Sequence, residues 1–130
     1  MTKADELLVR IENATKEVEE DYQRTLKTVA RLKEEMNELE QRISKKKHEE
    51  ADADINSLRS ATDSLNRLTD SQILRSKTAW KKFEGLKHDC KTQTLELPQL
   101  DEMQKLYKKT EQLAADLLCY SLGLSKPKNP

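Results

Sequence analysis

The sequence predicts an all-α protein with the elongated shape of a coiled coil. An apolar ladder with alternating three- and four-residue spacing runs from Leu8 to Ile43, as at the a and d positions of a heptad repeat. Charged residues make up 37% of the chain, and it holds only two Gly and three Pro, the residues that many turns require. Because one α-helix cannot shield such a stripe from water, the ladder predicts partner helices.

The first predicted element is a coiled-coil helix over residues 1–47. Thr2 or Asp5 is expected to cap its N-terminus, and no Gly or Pro interrupts it. Thr15 and Thr25 fill two rungs of the ladder, where polar residues often set register or partner choice. The apolar members of the ladder, expected to form a partner interface, are Leu8, Ile11, Val18, Tyr22, Val29, Leu32, Met36, Leu39 and Ile43.

The ladder fails over residues 44–54, where nearly every side chain is charged or Ala. A helix that continues through a phase shift is favoured, since no Gly or Pro stops it. The alternative is a turn, with Asp52 or Asp54 capping a second helix that folds back. Residues 48–97 are accordingly a second coiled-coil helix or a continuation of the first. Its expected interface residues are Ile55, Leu58, Leu65, Trp80, Phe83 and Leu86.

A clear break is predicted at Pro98, because the residue before a proline avoids the helical region and proline suits the first turn of a new helix. A C-terminal helix is expected over residues 98–124, followed by a polar tail at 125–130. The third helix carries a second apolar ladder, whose expected interface residues are Met103, Leu106, Leu113, Leu117 and Tyr120.

The composition argues against an enzyme and against a cofactor or metal site. His48 and His88 each lie among charged residues, and no glycine-rich phosphate loop is present. Cys90 and Cys119 match no metal or redox spacing, which favours a reducing intracellular setting, in cytoplasm or nucleus. The formal net charge is zero, so no overall field favours nucleic acid or membrane, and no segment is expected to span a bilayer.

One segment departs from this even charge distribution. Residues 75–91 contain six basic side chains around Trp80 and Phe83, and such a helix could contact a microtubule, nucleic acid or calmodulin. The simpler interpretation is that both aromatic residues are buried anchors between helices, with the basic residues as a solvated rim. The possible contacts to an anionic partner are Arg75, Lys77, Lys81, Lys82, Lys87 and Lys91.

The C-terminal quarter of the chain resembles a known family. The sequence TLELP at 94–98, followed by KLYK at 105–108 and SLGL at 121–124, is similar to the junction in the small coiled-coil subunits of the outer-kinetochore microtubule-attachment complex. The resemblance implies a heteromeric rod that links chromosomes to spindle microtubules. In that family the junction leads into a small α/β domain, and no binding residue of this chain is assigned from it.

The sequence therefore predicts a structural subunit of a heteromeric coiled-coil assembly, cytoskeletal or mitotic, that acts by helix packing. Its partners are expected to be other coiled-coil proteins, with a hetero-oligomer favoured over a homodimer because the ladder is imperfect and partly polar. The alternative is an adaptor whose segment 75–91 contacts an anionic polymer. On either hypothesis, the isolated chain is expected to be partly unfolded or self-associated.

Overall fold

The computed structural model describes residues 2–125, with side chains described for residues 2–123. It contains three α-helices, α1 (Lys3–Lys45), α2 (Asp52–Thr92) and α3 (Pro98–Ser125), and one turn of 3₁₀ helix at His48–Glu50. No strand occurs in this range, which confirms the all-α prediction. The predicted break before Pro98 is also confirmed, because α2 ends at Thr92 and α3 begins at Pro98. The tail expected at 125–130 lies outside the described residues, apart from Ser125.

The predicted cap at the start of α1 is confirmed. The Oγ1 atom of Thr2 accepts a hydrogen bond from the backbone N–H of Asp5 at 3.2 Å, and the N–H of Thr2 donates to Oδ2 of Asp5 at 3.3 Å. This reciprocal pair satisfies two backbone donors that have no partner within the helix. With 43 residues, α1 is about 65 Å long, so the molecule is elongated.

The favoured continuation of the helix through residues 44–54 is wrong, and the alternative turn is present. Lys46 and Lys47 adopt extended backbone conformations, which end α1 without a Gly or Pro. Neither Asp52 nor Asp54 caps α2, because its N-cap is Ala51. Asp54 instead accepts hydrogen bonds from Arg42 at 3.0 Å and Lys46 at 2.7 Å. These contacts, and the apolar surface that a folded-back helix covers, stabilise the turn.

Helices α1 and α2 form a long antiparallel hairpin. Arg10 near the start of α1 lies 3.2 Å from Asp89 near the end of α2, whereas Arg42 near the end of α1 pairs with Asp54 at the start of α2. Between these ends, Thr25 and Gln72 meet in the interior. The register is therefore constant along the hairpin, and the stripe of one helix covers that of the other.

The connection from α2 to α3 is a Schellman-type helix end. The N–H of Leu95 donates to the carbonyl of Cys90 at 2.8 Å, and the N–H of Thr94 donates to the carbonyl of Lys91 at 3.1 Å. Thr94 has a φ of 58°, in the left-handed region that usually favours glycine at this position. This reversal directs the chain back along the hairpin, so that α3 begins beside the start of α1.

Helix α3 packs along both other helices and closes two apolar clusters. The first, near the N-terminus of α1, joins Ile11, Phe83 and Met103, and the second, toward the hairpin turn, joins Leu32 and Leu65 with residues of α3. The buried members of the second cluster are Val29, Leu32, Met36, Ala61, Leu65, Leu113 and Leu117. The molecule is therefore a three-helix bundle in which α3 runs parallel to α1.

Candidate functional site

Most of the residues predicted to face a partner chain lie in the core of this chain. They are packed against its own helices, so the expectation that this stripe must be covered by another protein is corrected. The fully buried members are Ile11, Val29, Leu32, Met36, Leu39, Leu65, Phe83, Leu86, Met103, Leu106, Leu113 and Leu117. The partly buried members are Leu8, Val18, Tyr22, Ile43, Ile55, Leu58, Trp80 and Tyr120.

The start of the predicted ladder is shifted by one residue. Leu7 is 2% exposed and belongs to the first cluster, whereas Leu8 is only partly buried. Ala14, which the ladder left out, is also buried in this cluster. An α-helix has 3.6 residues per turn, so its buried stripe drifts away from a strict heptad, and a neighbouring residue takes the central position.

The basic segment 75–91 is divided between paired and exposed side chains. Arg75 forms an ion pair with Asp21 of α1, and the Nζ atom of Lys82 lies 3.6 Å from Oε2 of Glu17. These two basic groups therefore each lie beside an acidic group of α1. The remaining basic side chains of the segment, all exposed, are Lys77, Lys81, Lys87 and Lys91.

Trp80 and Phe83 form an aromatic cluster with Tyr107 of α3. The ring centroids of Trp80 and Phe83 are 5.5 Å apart, those of Phe83 and Tyr107 are 5.7 Å apart, and both pairs meet edge to face. Such packing is favourable for aromatic rings. It places Phe83 and Tyr107 wholly inside the bundle, where they cannot stack on an external polymer. Tyr107 was missed as a core residue, although its spacing from Met103 indicates the same helix face.

A polar layer lies between the two apolar clusters. Thr25 donates to Oε1 of Gln72 at 3.4 Å, and Arg75 donates to Oγ1 of Thr25 at 3.4 Å as well as to Asp21. Thr25 and Gln72 are 3% and 1% exposed, so their hydrogen bond satisfies polar atoms that water does not reach. The seam position of Thr25 had indicated a role in register, and the pairing with Gln72 supplies a physical basis for it.

A cleft of about 330 Å³ opens between α1 and α2 beside this layer and extends to α3. Small side chains, including Ala14 and Ala79, line this space together with Tyr107 of α3. The hydroxyl of Tyr107 is buried and has no hydrogen-bond partner among the described residues. Burial, with a contribution from the charge of Glu17, raises the pKa of Tyr107 to about 12. The phenol of Tyr107 is therefore neutral at physiological pH and enclosed by the bundle.

Helix α3 carries a second apolar stripe that its own chain does not cover. We define the outer α3 face as Ala115, Leu118 and Leu122, which share one side of the helix at three- and four-residue spacing. Leu118 is 42% exposed and Leu122 is 56% exposed. Sequence reasoning missed this face because it followed the stronger ladder on the opposite side of α3.

In the described part of the chain, no group of three or more His, Cys, Asp or Glu side chains is arranged to hold a metal ion. None of the described helices has an apolar stretch that could cross a bilayer. Cys90 and Cys119 are both free thiols, the first buried and the second exposed.

The chain was compared with protein-family models, curated proteins and solved structures, and it matches none of them. The similarity of residues 94–124 to small outer-kinetochore subunits therefore stays a prediction.

Proposed function

We propose that the chain is a structural subunit of a heteromeric helical assembly, in which a partner helix packs on the outer α3 face. The observation that carries this proposal is the exposure of Leu118 and Leu122, one turn apart on a helix that is already buried on its other side. Contiguous apolar surface of this kind is typical of protein interaction sites. The proposed interface therefore lies on α3 and not on the heptad ladder of α1.

The charges beside this face indicate the kind of partner. Lys108 and Glu111 are both exposed N-terminal to the leucines and lie on nearly the same side of α3. A partner helix with an apolar stripe, an acidic residue opposite Lys108 and a basic residue opposite Glu111 would fit, because opposite charges flanking an apolar seam fix orientation and partner choice. A second copy aligned in parallel and in register would place each of these charges against its like, which favours a different chain.

The cellular setting is part of the proposal. The resemblance of residues 94–124 to outer-kinetochore subunits favours a cytoskeletal or mitotic assembly. Helix packing as the mode of action agrees with the all-α bundle. An intracellular location agrees with the two free thiols.

The test uses the whole chain and a matched control. Tagged wild-type protein is purified from cells, each co-purifying chain is identified, and binding is then measured between the two recombinant proteins. Leu118→Asp with Leu122→Asp is expected to lower affinity at least 100-fold, since burying two unpaired carboxylates is costly. The control is Val9→Asp. Val9 is an apolar residue of α1 with a similar exposure of 45%, and its change should leave binding intact.

Two results would contradict the proposal. Equal loss of binding in the Val9 variant and the α3 variant would show that the interface is not on α3. Self-association of the wild-type chain through the same leucines, measured by sedimentation, would replace the heteromer with a homomer.

A direct contact with an anionic polymer is the second candidate, and one observation favours it. Lys77 and Lys81 project from one exposed face of α2, four residues apart. Cosedimentation with microtubules tests it, using Lys77→Ala with Lys81→Ala. Loss of a salt-sensitive association in this variant, with partner binding unchanged, would support the polymer contact.

A further inference from the structure

The linker between α1 and α2 differs little from a helix. It runs from Lys46 to Ala51, and its sequence, KKHEEA, contains no Gly or Pro. Residues 48–50 already form a turn of 3₁₀ helix, and Ala51 lies in the right-handed helical region. Only Lys46 and Lys47 are extended, and Lys47 has a φ of −66°, a value that an α-helix also uses. Rotation about ψ at these two residues would therefore go most of the way to one continuous helix.

The buried stripes of α1 and α2 would lie on the same side of such a continuous helix. An α-helix has 3.6 residues per turn, so positions 18 residues apart point the same way after about five turns. One series with this spacing runs through both helices, and its members, all buried or partly buried, are Val18, Met36, Asp54, Gln72 and Cys90. A straightened chain would thus expose one long stripe that another helix must cover.

The contacts that close the hairpin are centred on the linker. Each joins a residue of α1 to a residue of α2 that lies almost equally far in sequence from positions 48 and 49. They include Arg10 with Asp89, Thr25 with Gln72, and Arg42 with Asp54. Two straightened chains that cross antiparallel at these positions could therefore form each contact twice, once in each half of the pair. The surface that covers the long stripe of one copy is the same stripe of the other.

We propose that two copies of this chain exchange α1 to form a swapped dimer, in which residues 46–51 join α1 and α2 into one long helix. Each α1 packs against α2 and α3 of the other copy, and the two bundles lie end to end. Such an exchange is a low-cost route to a dimer, because contacts made within one chain form again between two. The single chain keeps the turn and is favoured at low concentration by mass action. The outer α3 face takes no part, so the exchange is separable from partner binding.

Proline at position 47 distinguishes the two forms. In the single-chain turn, Lys47 has a φ that proline shares, and Lys46 before it is extended, as the residue before a proline prefers. The turn therefore accepts Lys47→Pro, whereas a helix that continues through position 47 does not. Lys47→Ala is the matched control, because alanine is the best helix former.

The full chain is refolded from urea at low and at high protein concentration, and its mass is measured by sedimentation. The wild type and Lys47→Ala should both dimerise at high concentration. Lys47→Pro should raise the dimer dissociation constant more than about 100-fold, because both copies would carry a proline inside a helix. Leu118→Asp with Leu122→Asp should dimerise like the wild type, and circular dichroism verifies that every variant is folded.

Energy transfer within one chain shows whether α1 has been exchanged. Donor and acceptor dyes are attached at Glu12→Cys and Lys87→Cys, two exposed positions near the ion pair at that end of the hairpin. Cys119→Ser removes the exposed thiol, and brief labelling spares the buried Cys90. The dyes are neighbours in the single chain but about 110 Å apart along the straightened helix. Transfer should therefore be lost when labelled chains are refolded at high concentration with an excess of unlabelled chains.

Any of four results would overturn the proposal. The first is a wild-type chain that stays monomeric after refolding at every concentration. The second is a dimer that keeps energy transfer within the labelled chain, since α1 would then not have been exchanged. The third is a Lys47→Pro variant that dimerises as readily as Lys47→Ala, which would show that the linker does not become helical. The fourth is loss of the dimer in the Leu118 and Leu122 variant, which would place the contact on the outer α3 face.

Discussion

The Nζ atom of Lys46 lies 2.7 Å from Oδ2 of Asp54, across the turn that joins α1 to α2. Arg42 binds the other carboxylate oxygen of Asp54 at 3.0 Å. One acidic side chain in the first turn of α2 is thus held by two basic side chains from the end of α1. This contact stabilises a reversal that the chain makes without Gly or Pro.

The turn is expected to weaken in acid through Asp54. The hydrogen bond from Lys46 lowers the pKa of Asp54 below its usual 3.8, with burial opposing this and the charge of Arg42 adding to it. A lowered folded-state pKa gives stability that is present above pH 3.8 and lost as the pH falls through the folded value. Urea unfolding at neutral and acidic pH measures this loss of stability.

Asp54→Asn should be less stable than the wild type at neutral pH, and the difference should vanish in acid. Asp52→Asn, at an exposed carboxylate in the same helical turn, is the control and should behave like the wild type. If the Asp54 variant retained the full acid sensitivity of the wild type, the contact with Lys46 would not be its source.

Truncation of two neighbouring leucines of α3 should lower stability to very different extents. Leu117 is 2% exposed and belongs to the second apolar cluster, so Leu117→Ala should lower the free energy of unfolding by about 2–5 kcal/mol. Leu118 is 42% exposed, and Leu118→Ala should change it by less than about 0.5 kcal/mol. Chemical denaturation of the two variants makes this comparison, and equal losses would refute the orientation of α3.

Removal of the Tyr107 hydroxyl should protect the fold at high pH. Burial, then the charge of Glu17, raises the pKa of Tyr107 from 10.0 to about 12. Because the folded-state pKa is raised, the contribution of Tyr107 to stability is fully present below pH 10 and is lost as the pH rises toward 12. The loss is on the order of 2 kcal/mol. Tyr107→Phe should lack this component, as measured by thermal melts across the alkaline range.

Tyr22→Phe provides the control for general alkaline effects, because Tyr22 packs at the other cluster. Its melts should follow those of the wild type. At neutral pH, Tyr107→Phe should be at least as stable as the wild type, since the hydroxyl forms no hydrogen bond that the change would remove.

Glycine at position 94 should stabilise the protein. Thr94 holds the left-handed conformation at the end of α2, which costs an L-residue roughly 1–2 kcal/mol. Thr94→Gly removes that cost but increases the conformational entropy of the unfolded chain. A net gain of about 1 kcal/mol in the free energy of unfolding is therefore expected. Thr94→Ala keeps Cβ and removes only the hydroxyl, and it should change little. A glycine variant no more stable than the alanine variant would exclude strain at this residue.

The two thiols should differ strongly in reactivity. Cys119 is exposed, whereas Cys90 is 2% exposed in the first cluster. Burial, with the charge of Asp89 and against that of Arg10, also raises the pKa of the Cys90 thiol. A disulfide reagent should therefore label Cys119 quickly and Cys90 only as the bundle opens. In Cys119→Ser, rapid labelling of the remaining thiol would contradict the burial of Cys90.

Local patterns in the sequence predicted the helical class, the starts of α1 and α3 and much of the core, but not the turn between α1 and α2. The cap at Thr2, the break at Pro98 and the buried positions Leu32, Leu65 and Leu113 follow from spacing and from the chemistry of neighbouring residues. These features depend on contacts within a few turns of helix. The candidate site was not predicted, because the cleft needs small residues of α1 and α2 to meet Tyr107 of α3, and no local pattern encodes that meeting.

The sequence by itself determined that the chain is helical, where α1 and α3 begin, and which stripe must avoid water. Only the tertiary structure decided that this stripe is covered by the same chain, through the turn at Lys46 and the antiparallel match of Thr25 with Gln72. Apolar burial is favourable whichever helix supplies the second surface, so periodicity does not distinguish an internal partner from an external one. That choice depends on how well the two halves of the chain fit one another when folded back, in the apolar clusters and in contacts such as Lys46 with Asp54.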